Sequence, residues 1–370
     1  MGGDELSPAS IESSEVMDMV HRNKLSGLAA AAGMLVLILD GKTALSGASQ
    51  GLELCIKAVI PSLFPFFVLS NLMLSGLSFS WLKIPGTWFG IPKGAETILL
   101  AGFLGGYPTG AQCIASAFQQ NCLTERQANR MLAFCNNAGP AFLFGMIAPM
   151  FDRPLYPWLL WGIHVISAWL AAQLLPKDIT SAAAPVSFPQ QSMSASLQRS
   201  IRTMALVCGW IILFRILIAF IQRWILWYLP LEVQIGVCGM LELSNGCSML
   251  QEIPSSGLRF LLCAGMLGFG GLCVTMQTVS VIGSLSIRDY LMGKWMQTGF
   301  SIFLSMLILL FLPDPIILSP LILIPVLLMT LLPLFLRSAN KKAVAFPKEL
   351  MYNTANQNKR RDIYAVSQKN

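Results

Sequence analysis

Residues 201–221 read IRTMALVCGWIILFRILIAFI, an almost uninterrupted apolar run. A helix needs about 20 mostly apolar residues to cross the hydrocarbon core of a bilayer, so this stretch predicts a transmembrane helix. Similar runs occur at 54–77, 155–175, 289–312 and 316–336. They are continuous and rich in Leu, Ile, Met and Ala, whereas the strands of a membrane β-barrel would give short alternating segments. The sequence therefore predicts an all-α polytopic membrane protein with about 8–10 membrane segments.

Composition and charge agree with this class. Of 370 residues, 55% are hydrophobic and 12% are charged, against about a quarter charged in a typical soluble domain. The formal net charge of +7 comes from basic residues that flank apolar runs and that collect in the tail 337–370. Such an excess of Lys and Arg normally stays in the cytoplasm. We therefore expect the lipid bilayer, rather than nucleic acid, as the partner, with a cytoplasmic carboxyl terminus.

Metal and enzyme chemistry are not indicated. The nine cysteines lie mostly inside apolar runs without a Cys-x-x-Cys pair, and the two histidines are distant from any such pair. Cysteines in this setting behave as small buried hydrophobes, and zinc-ligand spacing is missing. The chain also lacks a Gly-x-Ser-x-Gly elbow, a phosphate loop and a His-Glu-x-x-His motif. We expect no metal, no cofactor and no enzymatic activity.

The chain divides at its polar stretches. Five acidic residues precede the apolar stretch Leu25 to Leu39, which favours a retained helix over a cleaved signal peptide. Pro61 and Pro65 predict a bend in the next run. Residues 176–196 are rich in Pro, Ser, Ala and Gln and are typical of a linker. The predicted divisions are a polar amino-terminal tail 1–24, a first membrane unit 25–175, a linker 176–198, a second membrane unit 199–312, a final transmembrane helix 313–336 and a basic cytoplasmic tail 337–370.

The two membrane units resemble each other weakly. In the first unit, Gly102 and Gly110 bracket a break, and an apolar stretch opened by Arg130 breaks again nine residues later. In the second unit, Gly239 and Gly246 bracket a break, and the stretch after the next arginine is also interrupted after nine residues. Four ordered matches predict an internal repeat. Its orientation stays open, because residues 124–150 either cross the membrane once or re-enter it as a hairpin.

Four helix breaks carry the functional prediction. Backbone freed by a broken helix is tolerated at membrane depth only inside protein or beside a water-filled cavity, so four breaks predict a shared polar interior. The alternative for the first break is a packing kink with small residues at a helix crossing. The break residues are Gly106, Pro108 and Gly110 in the first, Gly139 and Pro140 in the second, Gly246 in the third, and Gly270 and Gly271 in the fourth.

Polar side chains accompany these breaks. The two neighbouring amides of the second break either bind a polar solute or cap a helix. The acid of the third break, Glu242, either binds a proton or cation coupled to transport or pairs with Arg215, since an unpaired charge at this depth is costly. The predicted substrate-binding residues are Tyr107, Thr109, Asn136, Asn137, Glu242, Ser244, Asn245 and Gln277.

Several of these stretches resemble one family. The motifs are PSLFPFF at 61–67, GFLGGYPTGA at 102–111, LAFCNNAGPAFLFG at 132–145, LELSNG at 241–246 and FGGLCVTMQ at 269–277. They resemble the sporulation integral membrane proteins of the YlbJ type, which are built from nucleoside-recognition or Gate domains. The resemblance implies a bacterial inner-membrane protein of spore formers, related through these domains to concentrative nucleoside transporters and to the membrane part of ferrous iron transporters.

Paired broken segments in corresponding halves are the sequence feature that best indicates a transporter site. The leading hypothesis is therefore a membrane permease or gate for a small polar solute, nucleoside-like or an ion, with a coupling cation as a further partner. The alternative hypothesis is an integral membrane scaffold that is required for spore formation and transports nothing.

Overall fold

The computed structural model describes residues 27–76, 83–177, 182, 186, 188 and 192–311. Every regular element within these ranges is helical. The predicted final helix 313–336 and both predicted tails lie outside the described residues, as do 11 of the 23 residues of the predicted linker 176–198. The main helices are α1 Gly27–Leu39, α2 Gly41–Leu54, α3 Ile60–Gly76, α4 Lys83–Phe89, α5 Glu96–Leu104, α6 Thr109–Gln119, α7 Glu125–Cys135, α8 Pro140–Phe142, α9 Leu155–Leu174, α10 Met193–Trp224, α11 Leu231–Leu241, α12 Leu243–Met249, α13 Ser256–Phe269, α14 Gly271–Ile282 and α15 Ile287–Leu309.

Five helical stretches are long and apolar enough to cross a membrane: Gly41–Leu74, Glu125–Met150, Leu155–Leu174, Met193–Trp224 and Ser256–Ile282. Together with the purely helical structure, they confirm the predicted class, an all-α polytopic membrane protein. The 23-residue α15 also has sufficient length, but it carries several buried polar residues. In the first stretch, a π-helical segment lies just before Pro61, where a bend was predicted.

Two pairs of short helices form hairpins. The first hairpin is α5 and α6, of 9 and 11 residues, and the second is α11 and α12, of 11 and 7 residues. In the first hairpin, a Cβ on Gly102 or Gly110 would collide with the carbonyl oxygen of Cys135. In the second, a Cβ on Gly246 would collide with the Cα of Gly239. The predicted glycine pairs therefore lie at close backbone contacts of both hairpins, with α7 in the first and between the two arms in the second.

Each hairpin leads into one broken crossing, and the two crossings run in opposite directions. The first crossing is Glu125–Met150 and the second is Ser256–Ile282. The backbone N–H of Ser286, after the end of the second crossing, donates to Asn129 near the start of the first at 2.8 Å. At the other end, Arg259 donates to the carbonyl of Met150. The order of elements is the same in both units, and their orientation is inverted.

Helix α15 closes the structure around the breaks. It packs against α7, α9 and α13, which brings it beside a crossing of each unit. Its approach to α7 is close because Gly293 lies against the backbone of Ala133, where a Cβ would collide with the carbonyl oxygen. Side chains one turn further along α15 therefore reach the interior between the two units.

Candidate functional site

A central cavity lies between the tips of the two hairpins. Its volume is ≈ 40 Å³, enough for about three water molecules. Four of the predicted site side chains line it, namely Tyr107, Glu242, Ser244 and Gln277. Its wall also includes backbone of the first two breaks, at Gly106 and Gly139, and the apolar side chains Leu63, Phe67, Phe142, Val207, Ile211 and Val274.

The acid of the third break is held by its own unit. One carboxylate oxygen of Glu242 accepts the backbone N–H of Ser244 at 3.0 Å, and the other accepts the backbone and side-chain N–H groups of Asn245 at 2.7 and 2.6 Å. These bonds begin α12 directly after the extended residue Glu242. The alternative pairing with Arg215 is not formed. That guanidinium donates instead to Gln50 and to Gln222.

A larger outer cavity lies on the other side of this acid. Its volume is ≈ 710 Å³, and its lining includes Gln50, Glu53, Arg215 and Asn245. Asn245 donates to Glu242, which itself faces the central cavity. The hydrogen bond between these two side chains therefore lies at the boundary between the outer cavity and the central cavity.

Two of the other predicted site residues act within the framework and do not line the central cavity. Asn136 accepts the backbone N–H of Ala111 at 3.3 Å and donates to the hydroxyl of Thr278 at 2.9 Å, so it ties α6 of the first unit to α14 of the second. The Thr109 hydroxyl donates to the carbonyl of Gly105 at 3.3 Å. These two side chains hold the breaks in place.

The tip of the first hairpin contacts the fourth break. Gly270 has a φ of 82°, a backbone conformation that favours glycine. A Cβ at this position would lie 2.8 Å from the hydroxyl oxygen of Tyr107. The fourth break therefore contacts the Tyr107 side chain. Gly270 and Gly271 themselves do not line the central cavity.

Sequence reasoning missed the most deeply buried charged group among the described residues. Lys294 of α15 is fully buried, and its ammonium donates to Tyr107, Asn137 and Gln297. The run 289–312 was interpreted from its length as a simple spanning helix. The signal that would have found the site is the lone lysine inside this run, since ionisable residues in membrane helices usually mark function.

Further polar contacts surround this lysine. Gln297 donates to Asn137 at 3.0 Å and lies 3.4 Å from Nδ1 of His164. The other ring nitrogen of His164 accepts the backbone N–H of Ala138 at 3.2 Å. His164 was not among the predicted site residues. Its ring nitrogen pairs with a backbone N–H that the second break removes from the helix.

These features define an integral membrane protein in which two oppositely oriented sets of broken helices enclose a small, mostly apolar cavity that contains a buried acid, Glu242. The chain is similar to the sporulation integral membrane protein YlbJ of Bacillus subtilis strain 168, with 25% identity over 304 residues, or 68% of this chain and 74% of that relative. This similarity confirms the predicted resemblance to the YlbJ type. No family model matches the chain. No solved structure matches it.

Proposed function

We propose that this protein is a permease or gate for a small polar solute in the inner membrane of a bacterial cell, and that it acts in spore formation. The sporulation role is carried over from the name of the YlbJ relative. The cytoplasmic placement of the basic tail belongs to the same proposal. The same order of elements in opposite orientations supports the further inference that the units 25–175 and 199–312 are related copies.

One observation carries the transport proposal. The tips of two hairpins from opposite units meet at a cavity that contains a buried acid, Glu242. Inverted repeats with discontinuous helices that meet near the middle of the membrane are the usual architecture of secondary transporters. A buried acid in a membrane protein is costly, and such residues usually mark a functional site.

The size of the cavity restricts what it holds in this conformation. Pockets for drug-sized ligands measure about 300–1,000 Å³, whereas the central cavity measures ≈ 40 Å³. It is therefore suited to water, a proton or a small cation. A nucleoside-like solute requires the hairpin tips to separate and the central cavity to join the outer one.

The test uses purified protein in proteoliposomes. The probes are radiolabelled uridine, Na⁺, K⁺ and protons, the last followed with a pH-sensitive dye. We expect transport of at least one probe above the level of empty liposomes. Glu242→Gln should reduce the rate by about tenfold or more, because it removes a charged hydrogen-bonding group worth about 1.5–3 kcal/mol. Glu232→Gln is the matched control, since Glu232 is an exposed acid of α11 in the same hairpin and lines neither cavity.

The alternative, a membrane scaffold without transport, predicts a different result. Folded wild-type protein would then give no flux of any probe. If flux is present but is equal in the Glu242→Gln and Glu232→Gln variants, the protein transports by a route other than the central cavity, and the proposed site is wrong.

A further inference from the structure

The surroundings of Lys294 are unusual for a buried charge. Its ammonium lies 2.8 Å from Oε1 of Gln297, 3.1 Å from Oδ1 of Asn137 and 3.3 Å from the hydroxyl oxygen of Tyr107. An ammonium has three N–H donors, so each donor has one oxygen acceptor. All three oxygens belong to neutral groups. Two ion pairs occur among the described residues, and Lys294 takes part in neither of them.

The three oxygens come from separate parts of the fold. Tyr107 lies at the tip of the first hairpin, Asn137 in the second break and Gln297 one turn along α15 from the lysine. The ammonium also lies 5.2 Å from the ring centroid of Tyr107 and 5.8 Å from that of Tyr290, within the range of cation–π attraction. The Asn137 amide is fixed in turn, because it donates to the carbonyl of Phe134 at 2.6 Å.

Neutral oxygens that converge on one point are the usual ligands of alkali cations inside membranes, where they replace the hydration shell. In transporters with broken helices, such ligands come from the breaks themselves. We propose that the ammonium of Lys294 is a built-in cation that occupies a monovalent-cation site at the breaks of the first unit. The closed arrangement of these breaks therefore needs no free Na⁺ or K⁺. This inference concerns stability and does not depend on transport.

Two substitutions of Lys294 test whether the three oxygens bind a free cation once the ammonium is removed. Lys294→Ala leaves the oxygens and an open space, whereas Lys294→Met fills much of the space with an apolar chain. Each protein is purified in choline chloride, and NaCl or KCl then replaces the choline salt at constant ionic strength. The thermal midpoint should rise in the Lys294→Ala variant by about 3 °C or more and should keep rising with cation concentration. The wild type and the Lys294→Met variant should show no selective rise.

The inference is overturned if the Lys294→Ala variant responds to Na⁺ and K⁺ no more than the Lys294→Met variant does, or if the wild type responds as strongly. A second measurement covers the case in which the Lys294→Ala variant does not fold in choline chloride. The variant is then extracted and purified in NaCl or in KCl from the start, and the yield of monodisperse protein should be higher there than in choline chloride at the same ionic strength. An equal yield in all three salts contradicts the proposed cation site.

Discussion

A methyl group added at Gly246 tests how closely the arms of the second hairpin approach each other. The new Cβ would collide with the Cα of Gly239 and would lie 2.5 Å from its backbone nitrogen. Backbone atoms cannot rotate away as a flexible side chain does, so α11 and α12 must separate. Overpacking of this kind costs about 1–3 kcal/mol. At about 2–4 °C per kcal/mol, the Gly246→Ala variant should lose about 2–12 °C in its thermal midpoint.

The assay is thermal unfolding of the detergent-purified protein, followed by tryptophan fluorescence. Gly236→Ala is the matched control, because Gly236 lies on the same helix α11 and a Cβ there meets no heavy atom within 4 Å. Alanine also favours a helix more than glycine does, so this variant should be as stable as the wild type or slightly more stable. Equal midpoints for the two variants would refute the close packing of Gly239 on Gly246.

Three further predictions concern the framework. Arg130→Lys should destabilise the protein by about 1.5–3 kcal/mol, because one ammonium cannot replace the fork that holds three backbone carbonyls; the exposed Arg126→Lys should leave the thermal midpoint unchanged. Asn136→Leu should cost about 1–3 kcal/mol, since it leaves the donors and acceptors of α6 and α14 unpaired; an unchanged midpoint contradicts this role. Single cysteines at the exposed positions Glu125 and Gln251 should react with a membrane-impermeant maleimide from opposite sides; reaction from the same side contradicts the inverted orientation.

Sequence reasoning predicted the fold class because the length of an apolar run is a direct consequence of bilayer thickness. It left the orientation of the repeat open because orientation depends on which segments stop halfway. Helix α5 has 9 residues, which at about 1.5 Å per residue reach only halfway across the hydrocarbon core of about 30 Å. Its end depends on Gly105 to Pro108, and a glycine-rich break of this kind is equally typical of a kink in a continuous helix.

The sequence also did not predict the directions in which neighbouring side chains point at a break. Asn136 and Asn137 were expected to serve one site, but Asn136 bonds to α6 and α14, whereas Asn137 bonds to α15. The reason is local geometry. Asn136 has a φ of −112° and a ψ of 99°, an extended conformation in which successive side chains point in opposite directions. A sequence pattern identifies the break, but the backbone angles within it assign each amide to a different partner.

Two of the buried charged residues, Glu242 and Lys294, are stabilised in complementary ways. The carboxylate of Glu242 accepts three N–H groups from its own unit, and the ammonium of Lys294 donates to three neutral oxygens. Neither charge relies on the other, so each can lose its local partners separately when a hairpin tip moves. Tyr107 is the shared element, because it lines the central cavity with Glu242 and also bonds to Lys294. A movement of the first hairpin tip that opens the cavity must therefore also change the hydrogen bonding of the lysine.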